Sequence, residues 1–103
     1  MNSQAYKEVE SNKPLKLSDL LQPVLGHFVR VEEGKHSPIY ILQTSAGEEV
    51  GIYGSTDLNR KMKKVPIGAR VAIGLKKQIV LEESNQIFME AYVALISEPI
   101  PLG

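Results

Sequence analysis

The chain has 103 residues, of which 43% are hydrophobic and 23% charged, and its 12 basic and 12 acidic side chains give a formal net charge of zero. This size and balance predict one soluble globular domain with a modest core and exclude a disordered chain. The absence of cysteine excludes a disulfide framework and a thiolate metal site, and no apolar run approaches the roughly 20 residues of a membrane span. The N-terminal residues lack the pattern of a signal or transit peptide, so we expect a cytoplasmic protein with no membrane partner.

The chain divides into three parts by composition. We expect residues 1–14 to form a flexible N-terminal segment, residues 15–98 to form the folded domain, and residues 99–103 to form a C-terminal tail. The domain begins with KLSDLLQP, which predicts a short helical turn with Ser18 as its cap.

The first strand is predicted in PVLGHFVRVEEG. Side chains alternate between the two faces of a strand. A strict alternation places Val29 and Val31 on the core face, and Phe28 and Arg30 together on the outer face. Gly26 is expected at a bulge or bend.

The second and third strands are predicted in IYILQT and EVGIYG, with a hairpin loop between them. Gly47 is expected to supply the positive φ that this loop requires. If Ile52 points into the core, Tyr53 points outward. Gly51 and Gly54 would then leave a flat surface that a sugar or a base could approach.

A short helix is predicted next, followed by two long strands. Ser55 or Thr56 can cap the helix, and Leu58 and Met62 are four residues apart, so they share its inward face. The strands are predicted in ARVAIGLKKQIVL and IFMEAYVALIS. Their alternation is typical of half-buried strands.

The order of these elements predicts an all-β fold: a five-stranded barrel of the oligonucleotide/oligosaccharide-binding (OB) type, with one short capping helix between strands 3 and 4. An SH3-like barrel and a ferredoxin-like fold are the alternatives. The first usually lacks this helix, and the second needs two longer helices.

Positive charge is concentrated in the middle of the chain. Residues 51–77 hold seven of the twelve Lys and Arg and a single acid, Asp57, so this segment carries a net charge of +6. Such a segment predicts a basic face for a polyanionic partner. Its cations are Arg60, Lys61, Lys63, Lys64, Arg70, Lys76 and Lys77.

The stretch from residue 24 to residue 76 resembles the small single-stranded-DNA-binding proteins of bacteriophages. The resemblance lies in a Gly-led first strand, a YILQT hairpin strand, and a glycine and serine that lead into the helix. The matching residues are Gly26, Tyr40, Ile41, Leu42, Thr44, Gly47, Ile52, Gly54, Ser55, Leu58, Met62, Val65, Gly68, Val71 and Ile73. It implies the OB-fold and coating of single-stranded DNA, without sequence preference, during replication or recombination. If the protein is viral, it would act in the host cytoplasm.

Binding of this kind needs cations along a groove and exposed rings on which bases stack. The ligand face expected for an OB-fold is the outer side of strands 2 and 3 with its flanking loops. The predicted nucleic-acid-binding residues are therefore Tyr53, Phe28, Arg30, Lys35, His36, Arg60, Lys61, Lys64, Lys76 and Lys77. Each has an ordinary structural alternative: ring packing for Tyr53, the core for Phe28, and a solvated face for the helix cations.

The sequence shows no catalytic constellation, no metal-ligand spacing and no glycine-rich phosphate loop, so we expect neither an enzyme nor a bound cofactor. A single small groove binds weakly, so we expect a homodimer or higher oligomer, with replication or recombination proteins as further partners. The apolar run Ile79-Val80-Leu81 is a candidate association edge, and Phe88 and Tyr92 could pack or form a subunit contact. Two other functions remain open: an RNA-binding OB-fold protein, and a protein-interaction or virion-assembly module that binds no nucleic acid.

Overall fold

The protein is described by a computed structural model that covers residues 13–97. These residues form a five-stranded antiparallel sheet with one short α-helix, which confirms the predicted mostly-β class and the place of the helix. Most of the predicted N-terminal segment and the whole predicted tail lie outside the described residues. In chain order the elements are a 3₁₀ turn (Leu17–Asp19), β1 (Val24–Glu33), β2 (Pro38–Gln43), β3 (Glu49–Tyr53), α1 (Thr56–Met62), β4 (Arg70–Leu81) and β5 (Gln86–Ser97).

The strands lie in the order β3-β2-β1-β4-β5, so β1 pairs with both β2 and β4. Within residues 13–97 no ladder joins the two edge strands, β3 and β5, and closure into a barrel is therefore not confirmed. The segment before the 3₁₀ turn covers the free edge of β3 instead. The N–H of Leu15 donates to the Gly51 carbonyl at 2.8 Å, and the N–H of Tyr53 donates to the Leu15 carbonyl at 2.9 Å.

The core lies between the inner face of the sheet and α1. Leu58 and Met62 of α1 are buried there, as their spacing predicts, and so is Ile52 of β3. Tyr40 is also buried, and its hydroxyl donates to Asn59 Oδ1 at 2.7 Å. The remaining core residues are Leu17, Phe28, Leu42, Ala69, Val71, Ile73 and Ala91.

The predicted alternation along β1 is wrong at Phe28. A bulge at Val29 shifts the register, because Phe28 lies opposite Leu42 while Arg30 lies opposite Ile41. A bulge inserts one residue into the alternation, so residues two apart fall on opposite faces. Phe28 is therefore buried in the core, with 3% of its surface exposed, and Arg30 is on the outer face as predicted. The bulge is three residues beyond the glycine at which we predicted it.

Two local predictions are confirmed and one is wrong. Gly47 has a φ of 87°, and the Ser55 side chain caps α1 by accepting from the N–H of Leu58 at 3.3 Å. Ser18, however, lies inside the 3₁₀ turn. The N-cap position there is Lys16, whose N–H donates to the Asp19 carboxylate at 3.0 Å.

A buried carboxylate fastens α1 to β5. Asp57 is 4% exposed, and its Oδ2 accepts from the N–H of Ala91 at 2.9 Å and from Lys61 Nζ at 2.8 Å. Arg60 binds the other oxygen, and Lys61 Nζ also donates to the Ala91 carbonyl at 2.6 Å. The hydrogen bond from Lys61, with smaller contributions from Ala91 and Arg60, lowers the pKa of Asp57 to about 2 despite its burial.

Neither helix in the described part of the chain has the length and the apolar character needed to cross a lipid bilayer.

Candidate nucleic-acid interface

A cleft of about 490 Å³ opens beside the outer face of β2 and β3. Its volume falls in the range of ligand sites, roughly 300–1,000 Å³. Lys16, Lys35 and His36 line the cleft together with the ring of Tyr53, and no carboxylate is among the lining residues. The other lining residues are Leu17, Ser37, Ile39, Gly54, Ser55 and Met89.

Strand register places Tyr53 in this cleft. Tyr53 is the last residue of β3 and pairs with Ile39 of β2, while its neighbour Ile52 points into the core. The tyrosine therefore lies on the outer face, as predicted, and it is partly exposed. An aromatic ring beside an open cleft can stack on a planar ligand.

The basic residues of the cleft come from two separate parts of the chain. Lys35 and His36 lie in the loop between β1 and β2, which is one of the loops predicted to flank the ligand face. Sequence reasoning missed Lys16. The two hydrogen bonds of Leu15 along the edge of β3 bring Lys16 beside the cleft, and no sequence motif indicates this pairing.

Arg30 lies on the outer face but is bound by two carboxylates. Its guanidinium donates to both carboxylate oxygens of Glu49, at 2.7 and 3.0 Å, and to Glu32 at 2.8 Å. These bonds raise the pKa of Arg30, with Glu49 as the largest cause, and they lower the pKa of Glu49. The three side chains together carry one net negative charge. This part of the face is therefore less favourable for a phosphate than the cleft.

The cations of the predicted basic face come from α1, from the residues just after it and from β4. Arg60 and Lys61 bind Asp57, and the side chain of Lys61 is only 26% exposed. Lys64 is exposed just beyond α1. Lys76 and Lys77 lie at the base of the β4–β5 hairpin. Lys61 therefore has a structural role, and Arg60, Lys61 and Lys76 each lie within 4 Å of a carboxylate oxygen of the chain itself.

Phe28, Gly51 and Gly54 do not have the roles predicted for them on the ligand face. Phe28 is a core residue, so it offers no ring to a ligand. Gly51 and Gly54 do not leave a flat open surface either. A Cβ at Gly51 would lie 2.9 Å from a methyl carbon of Ile39, and one at Gly54 would overlap Asn59 Oδ1. Neighbouring side chains fill both spaces, so these glycines permit close packing.

Within residues 13–97 no cluster of three or more histidine or acidic side chains is placed to hold a metal ion. Comparison with models of known families, with curated proteins and with solved structures found no match for this chain. The interpretation of the cleft therefore depends on its own geometry and charge.

Proposed function

We propose that this protein binds single-stranded DNA without sequence preference and coats single strands during replication or recombination. The proposed fold is a partly open OB-type barrel, the proposed family is the phage-type single-stranded-DNA-binding proteins, and the proposed compartment is the cytoplasm. Replication or recombination proteins are proposed as further partners.

The strand pairing supports the OB-type fold. OB-folds are five-stranded, partly open Greek-key barrels that bind oligonucleotides on the face of strands 2 and 3. In this chain β1 pairs with both β2 and β4, and a short helix lies between β3 and β4. The cleft adjoins β2 and β3, which is the face that this fold uses for ligands.

The main support for the proposal is the set of residues that line the cleft. It combines an outward tyrosine with three basic side chains, and it contains no carboxylate to repel a phosphate. Stacking on an aromatic side chain contributes about 1–3 kcal/mol per base and tolerates any sequence, because every base has a π-face. The lysines would bind the phosphates on either side of the stacked base.

The proposed binding residues are accordingly Tyr53 for stacking, and Lys35, His36 and Lys16 for the backbone. Lys64, Lys76 and Lys77 remain predicted phosphate contacts outside the cleft. Arg30 and Arg60 are held by carboxylates and are expected to contribute less.

The proposal can be tested by fluorescence anisotropy of labelled dT oligomers, with duplex DNA and matched RNA as competitors, at several salt concentrations. We expect binding of dT that weakens with salt, and weak binding of duplex. Preference for the RNA would indicate the RNA-binding alternative, since contacts to the 2′-hydroxyl distinguish the two. If none of the three binds at low salt, the proposal fails, and a protein-interaction or virion-assembly function becomes the better interpretation.

Replacing Lys35 by glutamine should weaken dT binding and lower its salt dependence. A phosphate contact to a single strand contributes about 0.7 to the slope of log K against log salt, so the slope should fall by about that amount. Lys63→Gln is the matched control, because Lys63 is an exposed lysine at the end of α1, outside the cleft. If both variants lose the same affinity for dT, Lys35 contributes no more to binding than a lysine outside the cleft.

A further inference from the structure

The β4–β5 hairpin extends beyond the core as an arm, formed by residues 76–88. Every residue of the arm is exposed, whereas β4 is buried from Val71 to Gly74. The register opposes Ile79 to Phe88 and Val80 to Ile87, on opposite faces of the hairpin. These four side chains are 36% to 57% exposed. An isolated two-stranded hairpin is marginally stable in water, so further strands paired to the arm would be stabilising.

The arm also has an unpaired backbone edge. β1 pairs with β4 only along residues 70–73, whereas β4 continues to Leu81. From residue 74 onward, β5 is the only strand that pairs with β4 within the described residues. A strand edge of this kind presents unpaired N–H and C=O groups that another strand can bind.

Charged residues lie at both ends of this edge. Residues 76–83 read KKQIVLEE, in which Lys76 and Lys77 belong to β4, whereas Glu82 and Glu83 are the first residues of the turn that follows Leu81. A two-fold symmetric contact uses the same surface on both subunits, so that surface must complement itself. The sequence KKQIVLEE does so when two copies lie antiparallel, since the lysines of each then meet the glutamates of the other.

We infer that the arm pairs with the arm of a second copy of this chain, antiparallel and edge to edge, about a two-fold axis at the centre of KKQIVLEE. With the axis at Ile79 or Val80, Lys76 and Lys77 of each arm lie beside the turn that begins with Glu82 and Glu83 of the second copy. Opposite charges then meet at both ends of the paired segment. The product is a continuous four-stranded sheet with β4 of each copy at its centre.

This dimer does not depend on the proposed DNA binding, although the two are compatible. Met89, which follows the arm in β5, lines the cleft beside Tyr53. Joining two arms would therefore connect two clefts through one sheet. It would also engage Lys76 and Lys77 in protein–protein ion pairs, which removes them from the predicted phosphate contacts.

The test is sedimentation velocity of the full chain and of two charge-reversal variants. Wild type should be a dimer. Lys76→Glu/Lys77→Glu places four acids in each arm, and Glu82→Lys/Glu83→Lys places four bases there, so each variant alone should lose the dimer. An equimolar mixture should recover it as a heterodimer, because the two arms are then opposite in charge. Recovery would also show that both variants are folded.

The matched control is Lys63→Glu/Lys64→Glu, which reverses two exposed lysines outside the arm and should leave the dimer intact. The inference is overturned if wild type is monomeric, if either arm variant alone stays dimeric, or if the mixture fails to form heterodimers. Its failure is distinct from failure of the proposed function. A dimer that binds no oligonucleotide would refute only the proposed function, and a monomer that binds dT would refute only the arm pairing.

Discussion

Replacing Asp57 by alanine is expected to lower the free energy of unfolding by about 3 kcal/mol, because the substitution removes the acceptor that joins α1 to β5. The buried N–H of Ala91 would lose its partner, Arg60 would lose its carboxylate, and Lys61 would keep only its hydrogen bond to the Ala91 carbonyl. Most of the loss in stability should come from the unpaired N–H of Ala91, because Arg60 is exposed to water and Lys61 keeps its hydrogen bond to the Ala91 carbonyl. The measurement is urea unfolding followed by far-UV circular dichroism, since the chain has no tryptophan.

The Asp57 carboxylate also makes the free energy of unfolding depend on pH in the acid range. The pKa of Asp57 is about 2 in the folded protein against an ordinary value of 3.8, so between these values the unfolded chain binds more protons than the folded one. The contribution of Asp57 is therefore fully present above about pH 4 and is lost as the pH falls toward 2. Asp57→Asn should show a shallower fall in stability across this window than wild type.

Two comparisons separate the charge of Asp57 from its hydrogen bond. Asparagine keeps an oxygen that can accept from Ala91, so Asp57→Asn should cost less than Asp57→Ala at pH 7. Glu33→Gln removes an exposed carboxylate at the end of β1 and should keep the wild-type dependence on pH. If the stability of Asp57→Asn falls with pH as steeply as that of wild type, Asp57 is not the group responsible for the acid dependence.

Replacing Tyr53 by alanine is expected to weaken binding of dT oligomers about 5- to 150-fold, which corresponds to the stacking energy of one base. Tyr53 lies on the outer face at the end of β3 and contributes no side chain to the buried cluster, so the fold should persist. Anisotropy titration at fixed salt gives the affinity, and circular dichroism checks the fold.

The ring itself is tested by two further variants. Tyr53→Phe keeps the aromatic face and should retain nearly all of the affinity. Tyr92→Ala removes a half-exposed ring from β5, away from the cleft residues, and should have little effect. If Tyr53→Ala binds like wild type while Tyr92→Ala loses affinity, the cleft is not the binding site.

The sequence predicts the local structure of this protein well. Element order, the inward faces of α1 and β3, the cap at Ser55 and the positive φ at Gly47 all depend on residues a few positions apart. Side-chain periodicity and turn chemistry act over that same distance. The outward direction of Tyr53 follows from the same rule, because no bulge interrupts β3.

Contacts between distant parts of the chain decide the rest. The bulge at Val29 depends on how β1 pairs with its neighbours, and it places Phe28 in the core. Lys61 is drawn to β5 through Asp57 and the Ala91 carbonyl, whereas Lys16 is carried to the cleft by backbone pairing along β3. A count of charges along the sequence does not distinguish a lysine that packs against the fold from one that faces a ligand site. Only packing determines which carboxylate or carbonyl each one meets, because a charge interacts with what surrounds it in space rather than in sequence.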